Sequence, residues 1–185
     1  MLERGRPDRQ LSSASVPVLA TARLTLRHLS TDDADFILEL LNDPSFLRYI
    51  GDKGVRTRAD ACRYISTGPM DSYARFGFGL YLVESKDTKE PTGICGLVRR
   101  DSLEHVDVGF AFLPRFRSRG YAFESAAAVL TQARDAFALK RILAVTSRDN
   151  ASSIGLLTKL GFRFERMARL SEDAEEVKVF AQDVS

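Results

Sequence analysis

Only two cysteines occur among the 185 residues, Cys62 and Cys95, and they form neither a C-x-x-C pair nor a metal-ligand spacing. A disulfide framework and a cysteine-held metal are therefore not expected. One falls in an expected helix and the other in an expected strand, where cysteine acts as a small apolar residue. The only histidines, His28 and His105, have no sequence tie to either cysteine, so a Cys–His nucleophile is not expected. No apolar run approaches the roughly 20 residues a membrane-spanning helix needs. The net charge is only +2, whereas nucleic-acid binding favours a strongly basic domain with a concentrated stripe. A P-loop and a three-glycine dinucleotide turn are both missing, as is any internal repeat.

What is present is the composition of an ordinary globular protein, 44% hydrophobic and 28% charged. The length suits one domain, expected over residues 19–185, behind a tail over 1–18 rich in Arg, Ser and Pro. That tail has no continuous apolar core of the kind a secretory signal carries, and reads as a flexible extension of a cytoplasmic protein. The alternating run Leu24 to Leu29 predicts a first strand. Ser30-Thr31-Asp32-Asp33 then starts a helix from about Asp32 to Leu41, Pro44 opens a short one, and Thr57 to Asp60 caps another through Cys62 and Ile65. Phe78 to Glu84 and Thr92 to Arg99 read as a hairpin, and Glu104 to Leu113 as the next strand. After a helix with Ala122, Ala126, Val129, Leu130, Ala133 and Phe137 on one side come a strand over Arg141 to Thr146, a helix over Asn150 to Leu160, and two closing strands. The order is α/β (α+β), with a hairpin region and one strand–helix–strand crossover.

The richest stretch is Val108 to Ala127. An apolar strand ends at Pro114, passes through Arg115-Phe116-Arg117-Ser118-Arg119-Gly120-Tyr121-Ala122 and becomes an alanine-rich helix. A helix start leaves N–H groups unsatisfied at the positive end of its dipole, and three arginines surround this one. From composition alone it reads equally as a phosphate site and as an exposed basic helix start.

Arg117-Ser118-Arg119-Gly120-Tyr121-Ala122 resembles the R-x-x-G-x-A signature of the GNAT N-acetyltransferases. Asn150-Ala151-Ser152-Ser153 with Lys159-Leu160-Gly161-Phe162 is similar to that family's second motif. Ala22 to Arg27, Asp43-Pro44 and Arg48-Tyr49-Ile50 resemble its RimJ/RimL-like branch. The resemblance implies a GNAT fold: a central mixed, mostly antiparallel twisted sheet of about 6–7 strands flanked by helices. It implies acetyl-coenzyme A as cosubstrate, no metal, and direct acetyl transfer to a primary amine, either a protein N-terminus or a small amine; it is compatible with a homodimer. Phe110, Ala111, Phe112 and Leu113 would line the pantetheine arm, Arg117, Ser118, Arg119, Gly120, Tyr121 and Ala122 would take the diphosphate, and Asn150 would position pantetheine or cap its helix. The match departs at Ser118, where glycine is usual, and at Phe123, where threonine or serine is common.

Amine acetylation needs a base for the nucleophile and a proton for the departing thiolate. Asp107 and, through water, Glu104 are the candidate bases. They lie three positions apart on the expected strand, hence on opposite faces, and each reads equally as a solvated charge. Glu124 sits in the first turn of its helix and complements the dipole. Leu157 stands where many GNAT enzymes carry a tyrosine, leaving Ser153 as the protic candidate. Loss of that tyrosine keeps a catalytically inactive acyl-coenzyme A sensor as the alternative function. Tyr49, Tyr64, Tyr73, Tyr81, Phe76 and Phe78 read as acceptor-pocket walls or as core.

Overall fold

The computed structural model describes residues 17–184. Eight strands form one sheet: β1 (Pro17–Ala20), β2 (Leu24–Arg27), β3 (Leu80–Ser85), β4 (Pro91–Val98), β5 (Asp107–Phe112), β6 (Arg141–Ser147), β7 (Arg163–Arg169) and β8 (Glu176–Asp183). Their spatial order is β1-β2-β3-β4-β5-β6-β8-β7. Every neighbouring pair is antiparallel except β5 and β6. The extra strand relative to the expected 6–7 is β1, which starts two residues before the expected domain boundary. It is four residues long, begins with a proline and lies at the sheet edge, where a missing N–H does no harm. The rest of the expected tail lies outside the described residues.

The helices are α1 (Ala34–Leu41), α2 (Pro44–Tyr49), α3 (Arg58–Ile65), α4 (Asp71–Phe76), α5 (Tyr121–Asp135) and α6 (Ala151–Lys159). Local chemistry starts several of them. Thr57 Oγ1 accepts from the Asp60 N–H at 3.1 Å while Asp60 Oδ2 accepts from the Thr57 N–H at 3.0 Å, a reciprocal cap for α3. Asp43 caps α2, accepting from the Ser45 and Phe46 N–H groups, with Pro44 at the position where no N–H is needed. A wide turn with i→i+5 spacing, Ser66–Met70, carries the chain from α3 into α4 past the buried Pro69.

Side chains alternate across the sheet and bury on both faces. Tyr81 and Val83 join Leu24, Leu26, Cys95 and Leu97 beneath α5, which presents Ala126, Val129, Leu130 and Ala133. Leu82 and Ile94 point the other way, against Ile37, Leu40 and Ile65 of α1 and α3. Burying each large aliphatic side chain contributes about 1.5–3 kcal/mol, so both faces matter to stability. Cys95 is fully buried and burial pushes its thiol up to about 12, while Cys62 is half-buried; neither is bonded to the other.

The parallel pair places the site. Asp107 opposite Leu143 is the single register step between β5 and β6, with the Leu143 N–H donating to the Val106 carbonyl at 2.9 Å. Beyond that step the strands diverge. The Leu113 N–H bonds to the Thr92 carbonyl on β4, so alternation turns Leu113, Ala111 and Gly109 toward β4 and the N–H and C=O of Phe110 toward the gap beside β6.

Candidate active site

The turn between β5 and α5 is held in a conformation L-residues seldom adopt. Ser118 has φ 58° and Gly120 φ 79°, two left-handed residues flanking Arg119 at the start of a fifteen-residue helix. For the serine this costs on the order of 1–2 kcal/mol. Such turns direct main-chain N–H groups into a concavity that suits an anion.

The arginines brace the turn more than they ring it. Arg117 donates from Nη2 to Asp43 Oδ1 at 2.6 Å, from Nη1 to Ser45 Oγ at 2.8 Å and from Nε to the Phe112 carbonyl at 2.8 Å. Arg115 pairs with Glu39 at 2.5 Å. Arg119 lies over the Phe116 ring and has no ion pair among the described residues. On the far side Arg23 Nη1 donates to the Arg119 carbonyl at 2.9 Å, and its Nε binds Glu124 at 2.7 Å. Glu124 also accepts from Thr21 Oγ1 and the Arg23 N–H. Burial pushes Glu124 upward, but these donors outweigh it and hold the carboxyl low. With two arginines paired and Arg119 over an aromatic ring, the turn presents no open basic stripe of the kind nucleic acid favours.

Two cavities meet at β5. The first, about 590 Å³, runs over the turn and is walled by Phe110, Ala111, Phe112, Arg117, Ser118, Gly120, Tyr121, Ala122 and, from α6 and its cap, Asn150 and Ser153. The second, about 390 Å³, reaches back along β5 and β6 past Val108, Ala144 and Thr146 to Asp107, Arg100, Lys53 and Tyr64. Phe110, Ala111, Asn150 and Ser153 border both, as do Phe46, Tyr49 and Ile50 of α2 and its end. Asn150 Oδ1 caps α6 by accepting from the Ser153 N–H at 3.1 Å.

Asp107 has no exposed surface, and Arg100 Nε reaches its Oδ1 at 3.0 Å. Its Oδ2 is buried without a partner among the described residues, as is the Thr146 hydroxyl. Burial raises the Asp107 carboxyl above its ordinary value, against the opposing pull of Arg100.

Two expected positions fall elsewhere, and a third contributes by its main chain alone. Glu104 lies in the turn before β5, exposed and outside both cavities, because the strand starts at Asp107 rather than three residues earlier. Leu113 is buried in the core beneath α1 and α3 and borders neither cavity, because it lies past the end of β5, where the chain turns inward at Pro114. Arg119 keeps its place in the turn, but its side chain does not wall the first cavity and its carbonyl is taken by Arg23, so its main-chain N–H is what it can offer there. Tyr49 and Tyr64 do wall the second cavity, whereas Tyr73 and Tyr81 stack with His28, ring centroids 4.0 Å and 5.8 Å from it, away from both cavities. Lys53, Arg100, Thr146 and Phe46 were not foreseen. Arg100 carried a usable signal, because the β4–β5 hairpin register sets Val98 opposite Asp107 and leaves Arg100 just beyond.

Residues 23–163 match the family model described as "Acetyltransferase (GNAT) domain". The chain is 30% identical over 154 residues, 83% of its own length and 86% of the relative's, to the uncharacterized N-acetyltransferase YoaA of Bacillus subtilis. Among solved structures it shares its fold with RimL, a ribosomal L7/L12 alpha-N-protein acetyltransferase, at TM-score 0.78 and 16% identity over 98% of each chain. It likewise shares the fold of the microcin C7 self-immunity acetyltransferase MccE, crystallised with acetyl-CoA and AMP, at TM-score 0.73 and 15% identity over 88% of this chain and 93% of that one. With three-quarters of its length matched by the family model, the chain belongs to the GNAT acetyltransferase family.

Proposed function

We propose that the protein is an N-acetyltransferase that moves acetyl from acetyl-CoA directly to a primary amine within a ternary complex. The observation that carries this is the meeting of two cavities at the unpaired edge of β5. One has the turn and the volume for a phosphate-bearing donor, and the other reaches the same strand edge from its Asp107 end. MccE, whose crystals hold acetyl-CoA, supports the donor; membership among N-acetyltransferases supports nitrogen as the acceptor. The Ala22 to Arg27 and Asp43-Pro44 segments support a RimJ/RimL-like architecture without choosing the acceptor, since function lives in the site.

The residues divide the work as follows. The Ser118–Gly120 turn and the first turn of α5 receive the diphosphate through main-chain N–H groups. The outward N–H and C=O of Phe110 pair with the amide-bearing pantetheine arm as an added strand would, and the same edge polarises the thioester carbonyl. The amine nitrogen bonds to the acetyl carbon as the C–S bond breaks. Asp107 takes the amine proton, and because three strand steps separate it from Phe110 by about 10 Å, the transfer runs through water. Ser153, at the junction, donates a hydrogen bond to the departing thiolate, which takes a proton from solvent and leaves as the thiol, while Asp107 returns the amine proton to solvent.

Titration calorimetry with acetyl-CoA, followed by a thiol-release assay over an amine panel, tests the reading. Micromolar to sub-millimolar binding with turnover on at least one amine is expected. A folded sample that does not bind acetyl-CoA refutes it.

A further inference from the structure

The acceptor cavity has an unbalanced set of charges. Its charged walls are Lys53, Arg100 and Asp107: two cations and one carboxylate. Asp107 is committed to Arg100 at 3.0 Å. Lys53 forms no ion pair with a carboxylate among the described residues, and only burial and Arg100 act on its charge. Lys53 is exposed as a residue, yet enough protein surrounds its ammonium that desolvation, with the nearby Arg100 charge, lowers its pKa. Two like charges gathered at one end of a cavity repel each other, and an entering anion relieves that repulsion. Tyr64 borders the same end as a neutral phenol, burial raising its pKa, and so offers an O–H donor to an anion. The Thr146 hydroxyl, buried and without a partner among the described residues, borders the same cavity.

The position of these groups matters as much as their sign. Lys53, Tyr64, Arg100 and Asp107 border only the acceptor cavity, whereas Asn150 and Ser153 border both. A ligand whose anion reaches the cationic end therefore directs its other end toward the donor. At about 390 Å³ the cavity is near the low end of small-molecule sites, enough for a molecule of amino-acid size.

We infer that the acceptor is a small primary amine that also carries an anionic group, carboxylate or phosphate, held at Lys53 and Arg100 with its amine toward Asn150 and Ser153. The inference rests on the acetyl-transfer reading for the fate of the amine, and on the cavity alone for the anion. An ordinary protein N-terminus fits less well, because its α-carboxyl is consumed in a peptide bond and brings no charge to Lys53. The acidic segment from Glu172 to Glu176 lies in the chain between the wall residues Leu170 and Val177. Glu176 is paired with Arg148 at 3.6 Å, and Glu172, Asp173 and Glu175 are exposed, where salt screens them, and do not border the cavity.

Matched acceptors test this: L-amino acids, ω-amino acids and phosphoethanolamine, each against its amide or dephospho counterpart, together with an alanyl peptide amide. At least one anionic acceptor is expected to exceed its neutral partner about tenfold or more in kcat/KM. Lys53→Met should erase that preference by raising KM for the anionic member alone, and Lys53→Arg should restore it. Equal rates within every pair, a preference for the peptide amide, or a Lys53→Met loss shared by neutral acceptors would each overturn the inference and leave acetyl transfer standing. If acetyl-CoA binds but nothing is acetylated, the transfer reading fails instead. Titration of the same anionic amines into the coenzyme A-loaded protein then decides: Lys53-dependent binding supports the anion site, and its absence overturns it.

Discussion

Arg117 Nη2 lies 2.6 Å from Asp43 Oδ1, and Asp43 is 8% exposed. The first arginine of the R-x-x-G-x-A motif thus ties the β5–α5 turn to the N-cap of α2, the helix whose Phe46 and Tyr49 border both cavities. Arg117→Ala leaves a buried carboxylate without its cation and frees the Phe112 carbonyl. Because the guanidinium is itself partly exposed, the cost is set at about 1–3 kcal/mol, below that of a fully buried pair. Asp43→Asn should weaken stability and acetyl-CoA affinity in the same direction, since both act through the brace. Denaturant unfolding and titration calorimetry check this; an Asp43→Asn protein that binds as wild type would assign Arg117 to phosphate contact instead.

The same pair sets an acid limit. Burial pushes the Asp43 carboxyl upward, but Arg117 and the Ser45 and Phe46 N–H groups outweigh it, so its folded pKa lies below the ordinary 3.8. Its contribution is fully present above the unfolded value and is lost as pH falls through the folded one. Wild type should therefore lose more stability than Asp43→Asn below about pH 4, read from unfolding midpoints across an acid series.

Gly120 should be intolerant of a side chain. At φ 79° an L-residue costs on the order of 1–2 kcal/mol. The new Cβ would stand 3.2 Å from Arg23 Nη2, pressing on the arginine that holds the Arg119 carbonyl and Glu124. Gly120→Ala is expected to lower stability by about that amount and to raise the Kd for acetyl-CoA. Ser118→Gly runs the other way: relief of left-handed strain is offset by glycine's entropy, roughly 0.5–1 kcal/mol, so stability stays within about 1 kcal/mol and binding persists. Thermal unfolding beside calorimetric titration separates the two variants.

Much of this was legible in the chain because the signals are local. Thr57 and Asp60 announce α3, the alternation in Tyr81-Leu82-Val83 announces a two-faced strand, and the alanine side of α5 announces close packing on the sheet. The turn was legible as a break between strand and helix, whereas the choice of its phosphate reading and the oddity of Ser118 came only from the family motif. What escaped depends on partners distant in sequence. Nothing around Arg117 says that Asp43 will claim it, and nothing around Lys53 or Thr146 says that a cavity lies beside them. Leu113 and Glu104 lie at the two ends of β5: no local signal says that the strand starts only at Asp107, which brought Glu104 onto it, and family resemblance carried Leu113 into the site although the strand ends at Phe112.

Ser153 and Asn150 separate chemistry from binding. Ser153→Ala removes a hydroxyl at the junction while the Ser153 N–H still donates to Asn150 Oδ1. If the hydroxyl meets the thiolate, kcat should fall about tenfold to a hundredfold, the worth of a hydrogen bond to a charged group, with the Kd for acetyl-CoA nearly unchanged. Asn150→Ala should instead cost about 1 kcal/mol of stability through the lost cap and weaken binding. Steady-state kinetics with separately measured Kd values distinguish them, and an unaltered kcat in Ser153→Ala removes that residue from the chemistry.

Asp107 makes opposite demands on rate and stability. Burial raises its folded pKa above the ordinary 3.8, so the stability this group contributes is complete below the unfolded value and declines as pH rises through the folded one. Asp107→Asn carries no such penalty; relative to wild type its stability should improve as pH rises across that window, from a baseline lowered by the unpaired Arg100. The rate should move the other way. Wild-type kcat/KM should climb along a limb whose pKa lies above that of an ordinary aspartate, whereas Asp107→Asn should lack the limb and turn over about a hundredfold slower or worse, with acetyl-CoA affinity preserved. Glu104→Gln, exposed and outside both cavities, should keep the wild-type profile. If Asp107→Asn instead keeps the limb, the carboxylate only anchors Arg100 in the acceptor wall, and the proton leaves the amine directly to water.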